Sequence, residues 1–196
     1  KIYDGTPLVN ETVTITTGSV AEGQTAELYT TGTITDVGSA ENTYFLRITD
    51  AEGNDVTDNY AVTDSIGSLT VTSRQIVVST PSATKVYDGT PLADPRYSIV
   101  SAITVAEGHT VAEATLLASV TDVGDATNEF TSFIITDTAG NDVTANYSIE
   151  FACGTLTVTP REITVRTEDA AKIYDGTPLV NETVTITTGS VAEGQT

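Results

Sequence analysis

Alternating apolar and polar residues dominate this chain, and the alternation predicts short β-strands rather than helices. In the stretch from Leu69 to Thr72, leucine and valine alternate with threonine, which gives one apolar and one polar face. Threonine, valine and isoleucine favour pleated strands. Separated by turns rich in glycine and aspartate, such segments predict strands at roughly 11–17, 26–34, 43–49, 59–64 and 68–72, with counterparts further along. We therefore predict an all-β fold with almost no helix.

The chain is internally repetitive. Residues 172–196 repeat residues 1–25 letter for letter, and a related block, KVYDGTPL, begins at Lys85. The blocks VAEG, TDVG, GNDVT and LTVT also recur in the same order. A unit of about 85 residues is long enough to form its own core. The repetition predicts a linear array of tandem β-sandwich domains, Ig-like in the loose sense.

The boundaries of the domains are indicated by a change in the apolar pattern. In LTVTSRQIVV, the apolar positions that alternate are the odd-numbered Leu69 and Val71 and then the even-numbered Ile76 and Val78. A strand cannot exchange its buried face without a break, because its side chains alternate with a period of two. We therefore predict a first repeat domain at 1–72 that lacks its first strand, a complete domain at 74–160 and a partial third repeat at 161–196.

The partial third repeat carries the kind of opening strand that the first domain lacks. An exposed sheet edge is a template for a further strand. We therefore predict that residues 161–196 of one chain can donate a strand to residues 1–72 of another. Such a contact joins unlike surfaces and would propagate head to tail.

The charge of the chain excludes several classes of function. The formal net charge is −19, with 27 acidic and 8 basic residues. Nucleic-acid binding depends on cations that neutralise phosphates, so it is not expected. Docking on anionic lipid is disfavoured for the same reason, and no apolar run predicts membrane insertion. Cys153 is the only cysteine, which excludes an intrachain disulfide.

Lysine occurs once in each KxYDGTPL block, which raises the question of a cross-link. An isopeptide bond would need a buried lysine, an asparagine amide and a nearby carboxyl group. The candidate set is Lys85, Asn146 and Asp88, with Asn59 and Asp142 as alternative amide and acid. We favour the simpler interpretation, a salt bridge between the lysine and a carboxylate.

Two loops contain enough oxygen ligands for a hard cation. They are formed by Asp50, Asn54 and Asp55, and by Asp137, Asn141 and Asp142. Their spacing differs from that of an EF-hand, and the closing glutamate is missing. Hairpin turns closed by Asp and Asn side chains explain the same residues without a metal. We favour these turns, with calcium binding as the alternative.

No constellation of catalytic residues can be assembled from the sequence. The sole histidine, His109, stands where Gln24 and Gln195 stand in the other copies, so it is not a shared catalytic group. Hydrolysis or group transfer would need a nucleophile, a base and an orienting group together. We predict that the chain is not an enzyme and uses no cofactor.

The blocks KxYDGTPL, GNDVTxNY and G(S/T)LTVTxRxI together resemble the YDG or MBG-type repeats of large surface proteins in Firmicutes. The resemblance covers the whole chain. It implies an extracellular, cell-wall-anchored location, with the anchor outside this segment, and it carries over no binding residue. We predict a non-catalytic stalk or spacer repeat of an adhesin-like protein, whose partners are neighbouring repeats. The alternative is a repeat that binds host glycan or mucin weakly and gains by avidity.

Overall fold

The fold is all-β, as the residue pattern predicts. A computed structural model describes residues 1–116 and 119–196 of the chain. These residues form fourteen strands, and their only helical elements are two 3₁₀ turns of three residues each. No helix in the described part of the chain is long and apolar enough to cross a membrane.

The strands are short and pair in small sheets. In chain order they are β1 (Thr25–Thr30), β2 (Gly38–Glu41), β3 (Tyr44–Thr49), β4 (Ser68–Val71), β5 (Arg74–Ser79), β6 (Ala83–Val86), β7 (Ser98–Ile99), β8 (Thr110–Leu116), β9 (Gly124–Thr127), β10 (Phe130–Thr136), β11 (Tyr147–Ala152), β12 (Thr155–Thr159), β13 (Thr164–Thr167) and β14 (Val184–Thr188), with 3₁₀ turns at Thr57–Asn59 and Thr144–Asn146. The strand orders in the sheets are β1-β3, β2-β4, β11-β5-β7, β10-β8, β6-β12-β9 and β13-β14.

The residues cluster into two compact units. Unit 1 comprises Lys1–Val77, Ser101–Glu113 and Phe133–Glu150, and unit 2 comprises Val78–Val100, Ala114–Ser132 and Phe151–Thr196. Unit 1 therefore contains the first repeat and two segments of the second.

In unit 1, antiparallel pairs form the sheets of the first repeat. Strands β1 and β3 pair from Thr25↔Thr49 to Thr30↔Tyr44, and exposed and half-buried residues alternate along β1. Strand β4 pairs antiparallel with β2, and the segment around Ile2 forms a parallel bridge to Thr72. The apolar core of unit 1 is formed by Tyr3, Ile48, Leu69, Val71, Ile76, Ala106, Phe133, Ile135 and Tyr147.

In unit 2, strand β12 is the centre of a three-stranded sheet. It pairs parallel with β6 and antiparallel with β9. Its inward residues Leu156 and Val158 are 0% and 1% exposed. The LTVT block thus forms the same pairings in both repeats, because its alternation presents one fully apolar face.

A buried asparagine holds three backbone segments of unit 2 together. Asn128 is fully buried, and its Nδ2 donates to the carbonyl oxygens of Pro81 (3.2 Å) and Asp94 (2.9 Å). The backbone carbonyl of Asn128 accepts a hydrogen bond from Thr80 Oγ1. The same Thr80 hydroxyl accepts a hydrogen bond from the backbone N–H of Gly154. Buried backbone groups need such partners, so Asn128 replaces pairing that the strands do not supply.

Asn42 forms a similar tether in unit 1. Its Nδ2 donates to the carbonyl of Asn10 (3.0 Å), and its backbone N–H donates to Gly67. Like Asn128, it has a buried side-chain oxygen that accepts no hydrogen bond from the described residues. The recurrence indicates that this asparagine belongs to the common plan of the repeat.

Two predicted strands are wrong for the first repeat, and one strand was missed. The strands predicted at 11–17 and 59–64 are not formed there, and residues 57–59 form a 3₁₀ turn. A strand needs a hydrogen-bonded neighbour, and these segments belong to no sheet in the described structure. The missed strand, β2, has the sequence GSAE, which carries no apolar alternation.

Candidate functional site

The KxYDGT loop is closed by its own lysine. Lys1 Nζ donates to Asp4 Oδ1 (2.6 Å) and to the carbonyl (2.6 Å) and hydroxyl (2.7 Å) oxygens of Thr6. The Lys1 ammonium holds the pKa of the Asp4 carboxyl well below its usual range. Gly5 turns the loop with a φ of +80°, a region that suits glycine. Corresponding contacts recur around Lys85 and Lys172.

The residues of the candidate cross-link have separate partners. Lys85 Nζ lies 2.7 Å from Asp88 Oδ1 in unit 2, which is the salt bridge that the simpler interpretation requires. Asn146 lies in unit 1, where its Oδ1 accepts from the N–H of Val37 (2.8 Å) and its Nδ2 donates to Asp36 (2.9 Å). The structure thus brings Lys85 to Asp88 but engages the Asn146 amide elsewhere.

The candidate calcium loops are hairpin turns closed by their own side chains. Asp50 Oδ1 accepts from the backbone N–H groups of Glu52 and Asn54, and Asp50 Oδ2 accepts from Asn54 Nδ2. Asp137 and Asn141 form matching bonds in the second repeat. These bonds hold the pKa values of Asp50 and Asp137 below normal, with the Asn amides as the main cause.

The last aspartate of each loop stabilises the 3₁₀ turn that follows it. Asp55 and Asp142 accept from the backbone N–H groups of Thr57 and Thr144. Among the described residues, no group of three or more His, Cys, Asp or Glu side chains is placed to hold a metal ion. Each of these four aspartates has at least one carboxylate oxygen that accepts a backbone N–H within its own loop or the turn that follows.

In the first two repeats, the VAEG turn is held by the tyrosine of the NY dipeptide. In the first repeat, the Tyr60 hydroxyl accepts from the N–H of Ala21 (2.9 Å) and donates to Gln24 Oε1 (2.6 Å). In the second repeat, the Tyr147 hydroxyl accepts from the N–H of Ala106 (3.0 Å) and lies 2.8 Å from His109 Nδ1. Glutamine and histidine thus occupy the same place beside the tyrosine hydroxyl.

In unit 1, the tyrosine of the first KxYDGT loop packs on the VAEG turn of the second repeat. Tyr3 is 2% exposed, and its ring centroid lies 5.7 Å from those of both Tyr147 and His109. Ala106 at the tip of the turn is 3% exposed. We call this contact between the KxYDGT loop of one repeat and the VAEG turn of the next the repeat junction.

Hydrogen bonds flank the aromatic contact on both sides. Arg74 donates through Nε to the carbonyl of Thr104 (2.6 Å) and through Nη1 to the carbonyl of Tyr3 (3.3 Å). On the other side, Asn146, which is 7% exposed, binds the TDVG turn of the first repeat. Its counterpart Asn59 is exposed. Burial of Asn146 therefore accompanies the junction.

A related junction occurs in unit 2, where the tyrosine, Tyr87, is only half-buried. Gln195 Nε2 donates to the Tyr87 hydroxyl (2.6 Å), and Ala192 in the third VAEG turn is 4% exposed. Arg161 donates through Nε to the carbonyl of Ser190 (2.5 Å), as Arg74 does to Thr104. In contrast, Ala21 in the first VAEG turn is exposed.

The junction provides packing and hydrogen bonding between the two repeats in unit 1. Burial raises the pKa values of the Tyr3 and Tyr147 phenols, so both are neutral at physiological pH. A cleft of about 520 Å³ beside the junction is lined by residues that include Asp36, Asp137 and Asp142. The arrangement can hold two repeats against each other.

Sequence reasoning did not identify this junction. The recurring blocks were used only to identify and delimit the repeats. The only sequence feature that pointed towards the junction was the recurrence of the KxYDGT and VAEG blocks at nearly fixed spacing. Recurrence alone does not show that one block contacts another in the next repeat.

Replacing Gly5 with alanine tests the closeness of the junction. Both Gly5 and Gly176 have a φ of +80°, so Gly5→Ala and Gly176→Ala introduce the same backbone strain. Only at Gly5 would the new Cβ lie 2.7 Å from His109 Nε2, whereas no atom lies within 4 Å at Gly176. Overpacking typically costs about 1–3 kcal/mol. We expect Gly5→Ala to lower the free energy of unfolding by about 1–3 kcal/mol more than Gly176→Ala does. Denaturation combined with hydrogen exchange measures both losses. Equal losses would contradict a close junction.

Comparisons with known proteins give no match. No family model matches the chain, and no curated protein or solved structure matches it.

Proposed function

We propose that the chain is a run of tandem β-sandwich repeats, Ig-like in the loose sense, that serves as a non-catalytic stalk or spacer. Its setting is an adhesin-like protein on the surface of a Gram-positive bacterium, anchored to the cell wall through regions outside residues 1–196. The repeat domains are 1–72, 74–160 and the partial repeat 161–196. The observation that carries the proposal is the repeat junction, in which both units share an arginine bonded to a backbone carbonyl and a buried alanine in the VAEG turn.

The junction suits a spacer because it limits bending between repeats. A buried tyrosine between two other rings fixes the angle, and the Arg74 and Asn146 hydrogen bonds hold both sides. In a repeat array each unit contacts mainly its neighbours, so stiffness is set by such interfaces. The net charge of −19 keeps the array soluble and self-repelling.

Distance measurements between spin labels can test the stiffness. In a Cys153→Ser background, labels at Glu27 and Ala112, which lie in unit 1 on different repeats, should give one narrow distance distribution. Labels at Glu27 and Glu41, both in the first repeat, provide the reference width. A distribution across the junction that is much broader than the reference would contradict the spacer function.

One surface feature supports the alternative, adhesion to glycan or mucin. Tyr29 and Phe45 stack at 5.0 Å between ring centroids, and they are 47% and 37% exposed. Such rings have an apolar face on which a sugar can pack. However, Ala114 and Ser132 stand at these positions in the second repeat, so the patch does not recur as avidity requires. Glycan-array binding by the whole chain that is lost in Tyr29→Ala would favour adhesion instead.

A further inference from the structure

An open groove of about 660 Å³ lies in the first repeat, within unit 1. It is lined by residues 13–20 and 60–65 and by apolar side chains that include Leu28, Leu46 and Ile48. Neither lining segment is a strand. The groove therefore combines an apolar surface with two lengths of backbone that belong to no sheet.

An identical sequence elsewhere in the chain shows what these segments do beside a partner. The sequence VTITT occurs at 13–17 and at 184–188. The second copy is strand β14, which pairs antiparallel with β13 through Val165↔Ile186. The first copy forms no strand. Because the sequences are the same, the neighbouring strand decides the difference.

The second repeat shows which strand belongs in the groove. There, β5 lies between β11 and β7 in a three-stranded sheet. Strand β11 is the counterpart of residues 60–65. The β5–β7 pair Val78↔Ile99 corresponds to the β13–β14 pair Val165↔Ile186, because both residues of the second pair lie 87 positions later in the chain. Ile76 and Val78 of β5 are 1% and 0% exposed.

Residues 161–171, REITVRTEDAA, repeat the pattern of β5. Ile163 and Val165 correspond to Ile76 and Val78, but they are 46% and 54% exposed. Strand β13 is hydrogen-bonded to β14 on one edge only, within a two-stranded sheet. The tail thus presents an apolar strand with a free edge.

We propose that the groove is an acceptor site for an R-x-I-x-V strand, and that its occupant in solutions of this chain is the segment 161–171 of a second copy. The donated strand pairs with residues 60–65 on one edge and with residues 13–17 on the other, and it buries Ile163 and Val165. When the donated strand leaves β14 and pairs with residues 13–17 of the other copy, the free energy of that pairing changes little, because the two sequences are identical. The pairing with 60–65 is an additional edge, so the exchange is favourable.

The contact joins two different surfaces of the chain. Such an interface is heterologous and extends from copy to copy instead of closing into a symmetric dimer. The inference does not depend on the spacer function, since strand pairing in the groove and stiffness at the repeat junction involve different residues.

Peptide binding tests the acceptor. The probe is a fluorescent peptide with the sequence of residues 161–171, titrated with the whole chain carrying Ile163→Asp and Val165→Asp so that its own tail does not compete. We expect saturable binding of one peptide per chain, and none for a peptide with the same two substitutions. Equal behaviour of the two peptides, bound or unbound, would overturn the proposal.

Sedimentation tests the donor in the whole chain. We expect the natural sequence to associate as its concentration rises and the Ile163→Asp, Val165→Asp variant to remain monomeric. Ile173→Asp, at a tail residue that is 91% exposed and outside the paired strand, is the control and should associate normally. A natural chain that stays monomeric at all concentrations would refute strand donation.

A third variant locates the contact. The sequence of residues 161–171 fused directly ahead of Lys1 places the strand in the groove of the same chain. This fusion should abolish both peptide binding and association. A fusion that still binds the peptide would show that the peptide binds elsewhere.

Discussion

Replacing Tyr3 with alanine is expected to lower the free energy of unfolding of unit 1 by about 3–5 kcal/mol, the usual cost of removing a buried aromatic side chain. Tyr3 is 2% exposed and contacts the rings of Tyr147 and His109. Its removal leaves a cavity between the first repeat and the VAEG turn of the second. The loss is measured by urea denaturation, with hydrogen exchange used to assign the change to unit 1.

The chain contains its own control for this substitution. Tyr174 occupies the same position in an identical sequence of 25 residues, but it is 92% exposed. Tyr174→Ala should change stability by less than about 0.5 kcal/mol, as surface substitutions usually do. Similar losses for the two variants would mean that the tyrosine acts within its own loop, and the repeat junction would then contribute little.

Replacing Asn128 with alanine is expected to destabilise unit 2 by about 2–3 kcal/mol, because unmade hydrogen bonds at buried groups are costly. The substitution removes the donor to the carbonyls of Pro81 and Asp94 in a fully buried position. Loss of the Asn128 side-chain oxygen, which has no partner among the described residues, offsets part of this cost. Denaturation with hydrogen exchange at residues 80–95 measures the effect.

Asn181→Ala is the matched control for the asparagine. Asn181 Nδ2 also donates to a backbone carbonyl, that of Glu168, but the residue is exposed. Water can replace that bond, so the expected change is below about 0.5 kcal/mol. If Asn128→Ala were equally mild, the buried tether would not be a stabilising feature of the repeat.

The sequence pattern predicted strands well where burial alone decides them. Leu69 and Val71, and equally Leu156 and Val158, alternate with threonine and lie in strands with the predicted buried face. The pattern failed at residues 11–17, because whether VTITT forms a strand depends on its neighbour. Residues 184–188 have the same letters and do form one.

The candidate site was predictable only in part. A salt bridge between the lysine and an unspecified carboxylate was predicted from the sequence, and the structure shows Lys85 paired with Asp88 at 2.7 Å. The contact between Tyr3 and His109 was not expected, since the sole histidine differed from the glutamine in the other copies. The structure shows why the exchange is tolerated, because either side chain can hydrogen-bond the tyrosine hydroxyl beside it.

The closed KxYDGT loop has a practical consequence for handling the protein. Apart from the terminal amine, the ammonium groups of Lys1, Lys85 and Lys172 are its only primary amines, and each is paired with an aspartate at 2.6 or 2.7 Å. Dyes, biotin or surfaces coupled through amines will attach at these loops and break the ion pairs that shape them. Attachment through the single thiol of Cys153, or through an introduced one, leaves the loops intact.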